Sequence, residues 1–364
     1  MRKLAYVITQ SEMGGAQKNI LLLCEGLKSY YDITVYSASG GKMIDSLKSI
    51  GVKHKVVPHM VREISPAQDY KAYRYLVEEF KKEGFHIVHC HSSKAGVIGR
   101  EAARSAMVPN IVYTAHGFVF NEPMNNIKKF IYKKAEEREA RFSDNIICVD
   151  PKDVLIAKEL GIVPKRKLTY IPNGIDFNNT PKKHKISRDE IFRFGLVANF
   201  YETKGHRYLI GAFKELLKSY PNCELILIGD GILKDEMTSL AEGEQRIKFL
   251  GFKENAEDLM NTFHCFSLSS VKEGFPFVIL EAIKQRIPII STDVGAIKDI
   301  LKEDKYGLII EKASISQMKN AMEYVINNYE EAVEKAENAY KYCKEIYSLE
   351  RMIELTKEIY ENTL

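Results

Sequence analysis

The chain has 364 residues, 45% apolar and 28% charged, with a net charge of +4. That length calls for two domains rather than one core, and the composition is that of a soluble globular protein. No apolar run reaches the ~18–20 residues of a membrane helix, and the apolar part of the opening MRKLAYVIT is too short for a signal peptide.

The first predicted strand, KLAYVIT (3–9), runs into TQSEMGGAQKNILLL, where Gly14-Gly15 marks the turn into a helix from Ala16. Glycines there either serve a helix-start turn or let backbone N–H groups approach a phosphate or sugar at the positive helix end. The pattern is not GxGxxG, and no acidic residue ends the next strand, which argues against a dinucleotide site. Strands follow at 31–37, 54–58 and 86–90, with a helix from Ala72. His89 and His91 bracket Cys90, but two histidines at i, i+2 are too few for zinc, and no second cluster has metal spacing. The strand 110–115 runs up to His116, and each of these three histidines reads either as a core or loop histidine or as one bonding a sugar hydroxyl. The segment NNIKKFIYKKAEEREARF (125–142) has Ile127, Phe130, Ile131, Ala135 and Phe142 at near-helical spacing, and Lys128, Lys129, Lys133 and Lys134 cluster toward its start. It is either a packed helix with a solvated charged face or a surface that docks on anionic lipid headgroups. A strand at 145–150 follows.

LTYIPNGID (168–176) is a pivot: a strand ends at Pro172, an Asn-Gly turn follows, and 176–190 is a polar linker without periodicity. Strands then resume at 192–199, 223–230, 246–251, 265–270 and 287–293, with helices beginning near Gly205, Leu233, Phe277 and Ile297. The fold class is α/β: two Rossmann-like, doubly wound parallel sheets, with ligands expected beyond the carboxyl ends of strands, in a cleft between two facing domains. The six scattered cysteines, without CxxC, fit buried reduced thiols in a cytosolic protein. Residues 1–172 carry 27 Lys and Arg against 18 Asp and Glu; residues 173–364 carry 26 against 31. The first half is therefore the one to meet an anionic partner, if the split is more than surface variation. Without a basic run interleaved with aromatics, nucleic acid is not expected.

Three places in the second half fall just after strands. Lys204-Gly205 opens a helix, where a lysine suits a diphosphate or is a solvated surface residue. The Gly229-Asp230-Gly231 turn brings backbone close to something. EGFPFVILEA (273–282) places Pro276 in a first helical turn, leaving the N–H groups of Phe277 and Val278 for an anion or hydroxyl. Glu281 lies one turn in, among Val278, Ile279, Leu280, Ala282 and Ile283, so it is expected to be enclosed and to need a partner. Glu273, before the turn, suits sugar hydroxyls. The plainer reading is a helix start with two exposed acids.

Together these phrases resemble the retaining nucleotide-sugar glycosyltransferases of family 4, which have the GT-B fold. EGFPFVILEA is the E-x7-E motif, and MGGAQKN, HCHSSKAG, YTAHGF, IPNGID and ETKGH occur in the family's order over essentially the whole chain. The first-half phrases look most like bacterial enzymes of polysaccharide or glycan assembly. The resemblance implies an acceptor domain at 1–172 and a donor domain at 173–346, with the terminal helix 347–364 crossing back to the first. It implies that Glu281 holds the donor ribose and that Glu273 lies beside the transferred sugar. The backbone of Gly274, Phe275, Pro276 and Phe277 cradles sugar hydroxyls and phosphate, and Lys204 binds the diphosphate. Gly14 and Gly15 close over the diphosphate, and His116 touches the sugar. Many members carry Arg where this chain has Asn199, so Arg207 or Lys272 is a candidate for the second cation. The implied donor is a nucleotide sugar, UDP-linked by family weight. The implied acceptor is a glycan or a lipid-diphosphate-linked sugar, and the implied place is the cytoplasm, on the inner face of the membrane. No metal or other cofactor is expected, and no DxD motif stands out. Two other classes stay open: a nucleotide-sugar 2-epimerase and a non-catalytic nucleotide-sugar binder.

Overall fold

The computed structural model describes residues 1–121, 124–164, 167–178 and 191–362. The chain divides into two compact units, residues 1–173 with 349–364, and residues 174–348.

In the first unit seven strands are joined in parallel: β1 (Arg2–Val7), β2 (Tyr31–Ser37), β3 (Lys53–Val56), β4 (Ile87–His91), β5 (Asn110–Ala115), β6 (Asn145–Cys148) and β7 (Leu168–Tyr170). Their order is β3-β2-β1-β4-β5-β6-β7. Both faces of the sheet are covered, which is why its strands read as continuous apolar runs. Alternate residues go to opposite cores: Ala5, Val7, Ile111 and Tyr113 to one, Leu4, Tyr6, Ile8 and Val112 to the other. Helix Leu349–Asn362 closes the second of these through Met352 and Tyr360. Tyr360 Oη lies 3.0 Å from Tyr6 Oη and 2.6 Å from His89 Nδ1, and His89 Nε2 lies 2.7 Å from Thr114 Oγ1. Both ring nitrogens of His89 are thus used inside the core, so His89 is a core histidine; burial pushes its pKa down to about 3.

Among the described residues the second unit holds six parallel strands: β8 (Phe192–Val197), β9 (Cys223–Ile228), β10 (Ile247–Gly251), β11 (Cys265–Leu268), β12 (Ile289–Thr292) and β13 (Leu308–Ile310). Their order is β10-β9-β8-β11-β12-β13. The pattern in the sequence does not announce β13, which is three residues long. Helix Pro66–Glu83 begins six residues before Ala72, because Pro66 at its first position is pre-set for helical φ. Of the polar segment 176–190, residues 179–190 lie outside the described residues. All six cysteines are buried and unpaired. Among the described residues no helix is long and apolar enough to cross a membrane.

The strand order reverses between β1 and β4 in the first sheet and between β8 and β11 in the second. At such a point the loops leaving two neighbouring strands diverge and open a crevice at their carboxyl ends.

Candidate active site

Lys204 and Glu273 meet at the crevice of the second sheet. Lys204 ends the 3₁₀ turn Glu202–Lys204 that follows β8, and Glu273 lies in the loop that follows β11. Backbone bonds tie the two loops: the N–H groups of Val271 and Lys272 donate to Thr203 O at 2.8 and 3.4 Å. Ser269 Oγ donates to Lys204 O at 3.0 Å. Lys204 Nζ lies 2.6 Å from Glu273 Oε1, and Ser270 Oγ donates to the same oxygen at 2.7 Å. Ser270 was not singled out from the sequence; its signal was a hydroxyl three residues before the first acid of the motif. The Glu273 side chain is only 11% exposed, and these two partners satisfy the same carboxylate oxygen.

The cradle after Glu273 is braced from below. Gly295 has φ +53°, and a Cβ there would stand 1.9 Å from Gly274 O, so only glycine fits. Ala296 N–H donates to that oxygen at 2.9 Å. Phe275 is buried edge-on to Tyr347. Pro276 precedes helix Phe277–Lys284, whose first turn has no side-chain cap, so no side-chain oxygen competes for the positive end of this helix. Phe277, Ile279, Leu280, Ala282 and Ile283 are buried, but Glu281 is not enclosed as expected. It shares a half-exposed stripe with Val278, three residues earlier on the same face. An apolar composition cannot say which side of an eight-residue helix faces out.

Asn199, just past β8, is exposed. Of the two cations suggested to replace the missing arginine, Arg207 is engaged with Glu236 at 2.8 Å. Lys272 is exposed and adjacent in sequence to Glu273. The Gly229-Asp230-Gly231 turn approaches the chain's own backbone: Cβ atoms there would lie 2.0 Å from Ala198 O and 2.7 Å from Phe200 N. Those glycines therefore brace the loop that leads to Lys204.

In the first unit, Thr9 Oγ1 and Ser92 Oγ lie 2.9 Å apart where the strand order reverses, and Ala95 N–H donates to Thr9 Oγ1 at 3.1 Å. Gly14 and Gly15 are exposed at the start of helix Gly15–Leu27. Gly14 is extended, and a Cβ there would meet only the Gln17 side chain, at 3.0 Å, so nothing inside the fold calls for glycine. His116 follows β5 and its Nε2 lies 2.9 Å from His91 Nδ1, the rings stacked at 5.2 Å. Burial pushes the His116 pKa down to about 4 and that of His91 well below the ordinary value, so both rings are neutral at pH 7. Among the described residues no three His, Cys, Asp or Glu side chains cluster as metal ligands.

Residues 13–179 match the family model "Glycosyltransferase Family 4", and residues 176–342 match "Glycosyl transferases group 1". Over 337 residues the chain is 31% identical to UDP-Gal:alpha-D-GlcNAc-diphosphoundecaprenol alpha-1,3-galactosyltransferase of Escherichia coli, covering 88% of this chain and 87% of that protein. The chain is a family 4 glycosyltransferase. This glycosyltransferase is also 26% identical over 320 residues to the capsular polysaccharide biosynthesis glycosyltransferase CapM of Staphylococcus aureus, covering 83% of this chain and 82% of that one. Among solved structures, Anabaena HepE in complex with UDP and glucose superposes with a TM-score of 0.85 at 19% identity, covering all of both chains. WaaG, a glycosyltransferase involved in lipopolysaccharide biosynthesis, gives 0.75 at 17% identity, covering 98% of this chain and 99% of that one. At such identities these likenesses establish the fold, GT-B.

Proposed function

We propose that this enzyme moves a hexosyl or N-acetylhexosaminyl group from a UDP-linked donor to a lipid-diphosphate-linked glycan, with retention at the anomeric carbon. The observation that carries it is the Lys204–Glu273–Ser270 cluster at the crevice of the second sheet, beside the uncapped start of helix Phe277–Lys284. Departure of UDP builds negative charge on the diphosphate. A lysine and the positive end of a helix stabilise that charge through groups already in place, and in this reading no metal ion is required. Glu273 lies where it opposes positive charge growing on the sugar ring, and the half-exposed Glu281 accepts from the ribose diol. The acceptor hydroxyl attacks from the face that UDP leaves; its oxygen bonds to the anomeric carbon as the bond to the diphosphate breaks, and its proton passes to a phosphate oxygen. A sugar contact from His116 and a diphosphate contact from the Gly14-Gly15 loop come from the family resemblance. HepE, crystallised with UDP and glucose, and the E. coli relative named for a diphosphoundecaprenol acceptor support the donor and acceptor classes.

The same reading places the enzyme at the cytoplasmic face of a membrane. Helix Asn126–Glu139 is not a packed helix throughout: Ile127, Phe130 and Ile131 are 74%, 61% and 58% exposed, on one face at i, i+3 and i+4. Bare apolar residues beside Lys128, Lys129, Lys133 and Lys134 suit an anionic lipid surface. Two measurements test the reading: UDP release with polyprenyl-diphosphate-linked sugars, and flotation with phosphatidylglycerol vesicles at low salt. Release that does not depend on an acceptor, or a new epimer of the donor, refutes the transfer; absence of flotation refutes the membrane contact.

A further inference from the structure

The first unit holds a groove of about 880 Å³ at the carboxyl end of its sheet, and nothing above assigns it. Its inner end is polar, formed by Thr9, Gln10, Ser92 and Ser93, where the strand order reverses. Its walls are apolar. Ile98, Phe118 and Phe120 are buried beneath it, the two phenylalanines stacked at 4.9 Å, and Tyr73 and Tyr132 join them. Ser93, Val97 and Glu101 recur at i, i+4 and i+8 on helix Ser93–Ser105, so one helix face lines about 12 Å of its length. The acids that reach it are already neutralised: Glu136 by Arg100 at 2.9 Å, Glu101 by Arg138 at 2.5 Å and Asp69 by Lys94 at 2.6 Å. At the rim stand Ile64, Tyr70 and Ile131, which are 70%, 59% and 58% exposed.

We infer that this groove receives the first isoprenyl units of the acceptor's lipid, its diphospho-sugar end lying toward Thr9 and Ser92. The inference rests on the lipid-linked acceptor proposed above and adds where the hydrocarbon lies. A water-soluble glycan has no use for an apolar trough whose acids are neutralised and whose remaining charged lining residue, the exposed Arg62, is cationic. A polyprenyl-diphospho-sugar is polar at one end and apolar at the other, as the groove is. Phe118 lies two residues beyond His116, so the trough begins beside the residue implied to touch the sugar. Ile131 belongs both to the rim and to the exposed face with Ile127 and Phe130, so the groove opens onto the surface proposed to meet the membrane. A second copy of the chain is a poor occupant, because pairing would bring the lysines of two such helices together.

The test is photolabelling of the full chain in mild detergent with a farnesyl diphosphate bearing a diazirine on its last isoprene. The labelled positions are read by mass spectrometry, and undecaprenyl phosphate and inorganic diphosphate serve as competitors. Label is expected within 94–101, 118–120 or 127–135, displaced by the lipid phosphate and not by inorganic diphosphate. Each methylene in the groove tightens binding about fourfold, so Val97→Trp, which fills the trough from helix Ser93–Ser105, should cut labelling at least tenfold. UDP affinity of that variant, read by calorimetry, should be unchanged. Should Val97→Trp fail to fold, Ile131→Glu at the exposed rim is expected to lower labelling in the same way. Label elsewhere, label indifferent to either substitution, or a stable dimer covering the groove overturns the inference. Because labelling needs neither donor nor turnover, it can fail while acceptor-dependent UDP release holds, and the reverse.

Discussion

The sharpest consequence of the Lys204–Glu273 pair is that the two residues should fail differently. Lys204 Nζ sits 2.6 Å from Glu273 Oε1, with the lysine side chain 28% exposed and the glutamate 11%. A charge-assisted hydrogen bond from lysine to a phosphate oxygen is worth about 1.5–3 kcal/mol. Lys204→Met should therefore weaken UDP binding roughly 10- to 150-fold and lower turnover at least as much. Folding stability should fall by no more than ~1 kcal/mol, since the pair is partly solvated and Ser270 still donates to the carboxylate. Glu273→Gln keeps the shape and an oxygen for Ser270, and releases the lysine from its competing anion. UDP should then bind as tightly as to the wild type or more tightly, while turnover falls about 10²-fold because the charge opposing the developing cation is gone. Calorimetry with UDP and a coupled UDP-release assay with acceptor separate the two effects. Equal loss of UDP affinity in both variants, or wild-type UDP affinity in Lys204→Met, refutes the division of roles.

Three further outcomes follow from the same geometry. Lys272→Ala should weaken UDP binding about three- to tenfold and Arg207→Ala should leave it unchanged, because Arg207 is held by Glu236; calorimetry showing the opposite order makes Arg207 the replacement cation. Gly295→Ala puts a Cβ 1.9 Å from Gly274 O at a residue with φ +53°, so UDP affinity should fall more than about tenfold with a lower melting temperature, and an unchanged affinity refutes the cradle. Burial pushes the pKa of His116, His206 and His264 down to about 4 from an ordinary 6.5. The unfolded chain therefore takes up protons that the folded one does not as pH falls through that window, and stability is full above pH 6.5 and lost toward pH 4. His264→Gln should make the slope of stability against pH shallower by up to about 1.4 kcal/mol per pH unit, and an unchanged slope removes His264 from the account.

The strands that carry the site were legible because a parallel sheet covered on both faces leaves near-continuous apolar runs, such as the LILI of CELILI before the 229–231 turn. The start of helix Phe277–Lys284 was legible from Pro276, and the start of helix His206–Leu217 from Lys204-Gly205. Three features were not, each for a physical reason. Leu308–Ile310 is too short to show a period. The half-exposure of Glu281 depends on which side of its helix meets the rest of the unit, and six apolar neighbours do not encode that. His89 could not be told from a cleft histidine, because its partner Tyr360 stands 271 residues away.

Charge was the least reliable guide. The first half of the sequence has the surplus of lysine and arginine, yet the cation placed for a diphosphate, Lys204, lies in the second half, which is net negative. The two sheets explain why. Each has a crevice where its strand order reverses, and each crevice is spanned by one side-chain pair: Thr9 with Ser92 in the first, Lys204 with Glu273 in the second. The hydroxyl pair heads an apolar groove whose acids are neutralised, whereas the ion pair stands beside an uncapped helix start. A diphosphate responds to the field within a few ångströms, where a single lysine and a few N–H groups dominate; beyond roughly 10 Å salt screens the rest of the surface. In the proposed function the basic surplus of the first half has a separate use. Four of its lysines lie beside Ile127, Phe130 and Ile131 on helix Asn126–Glu139, where they suit a lipid surface and not the leaving group.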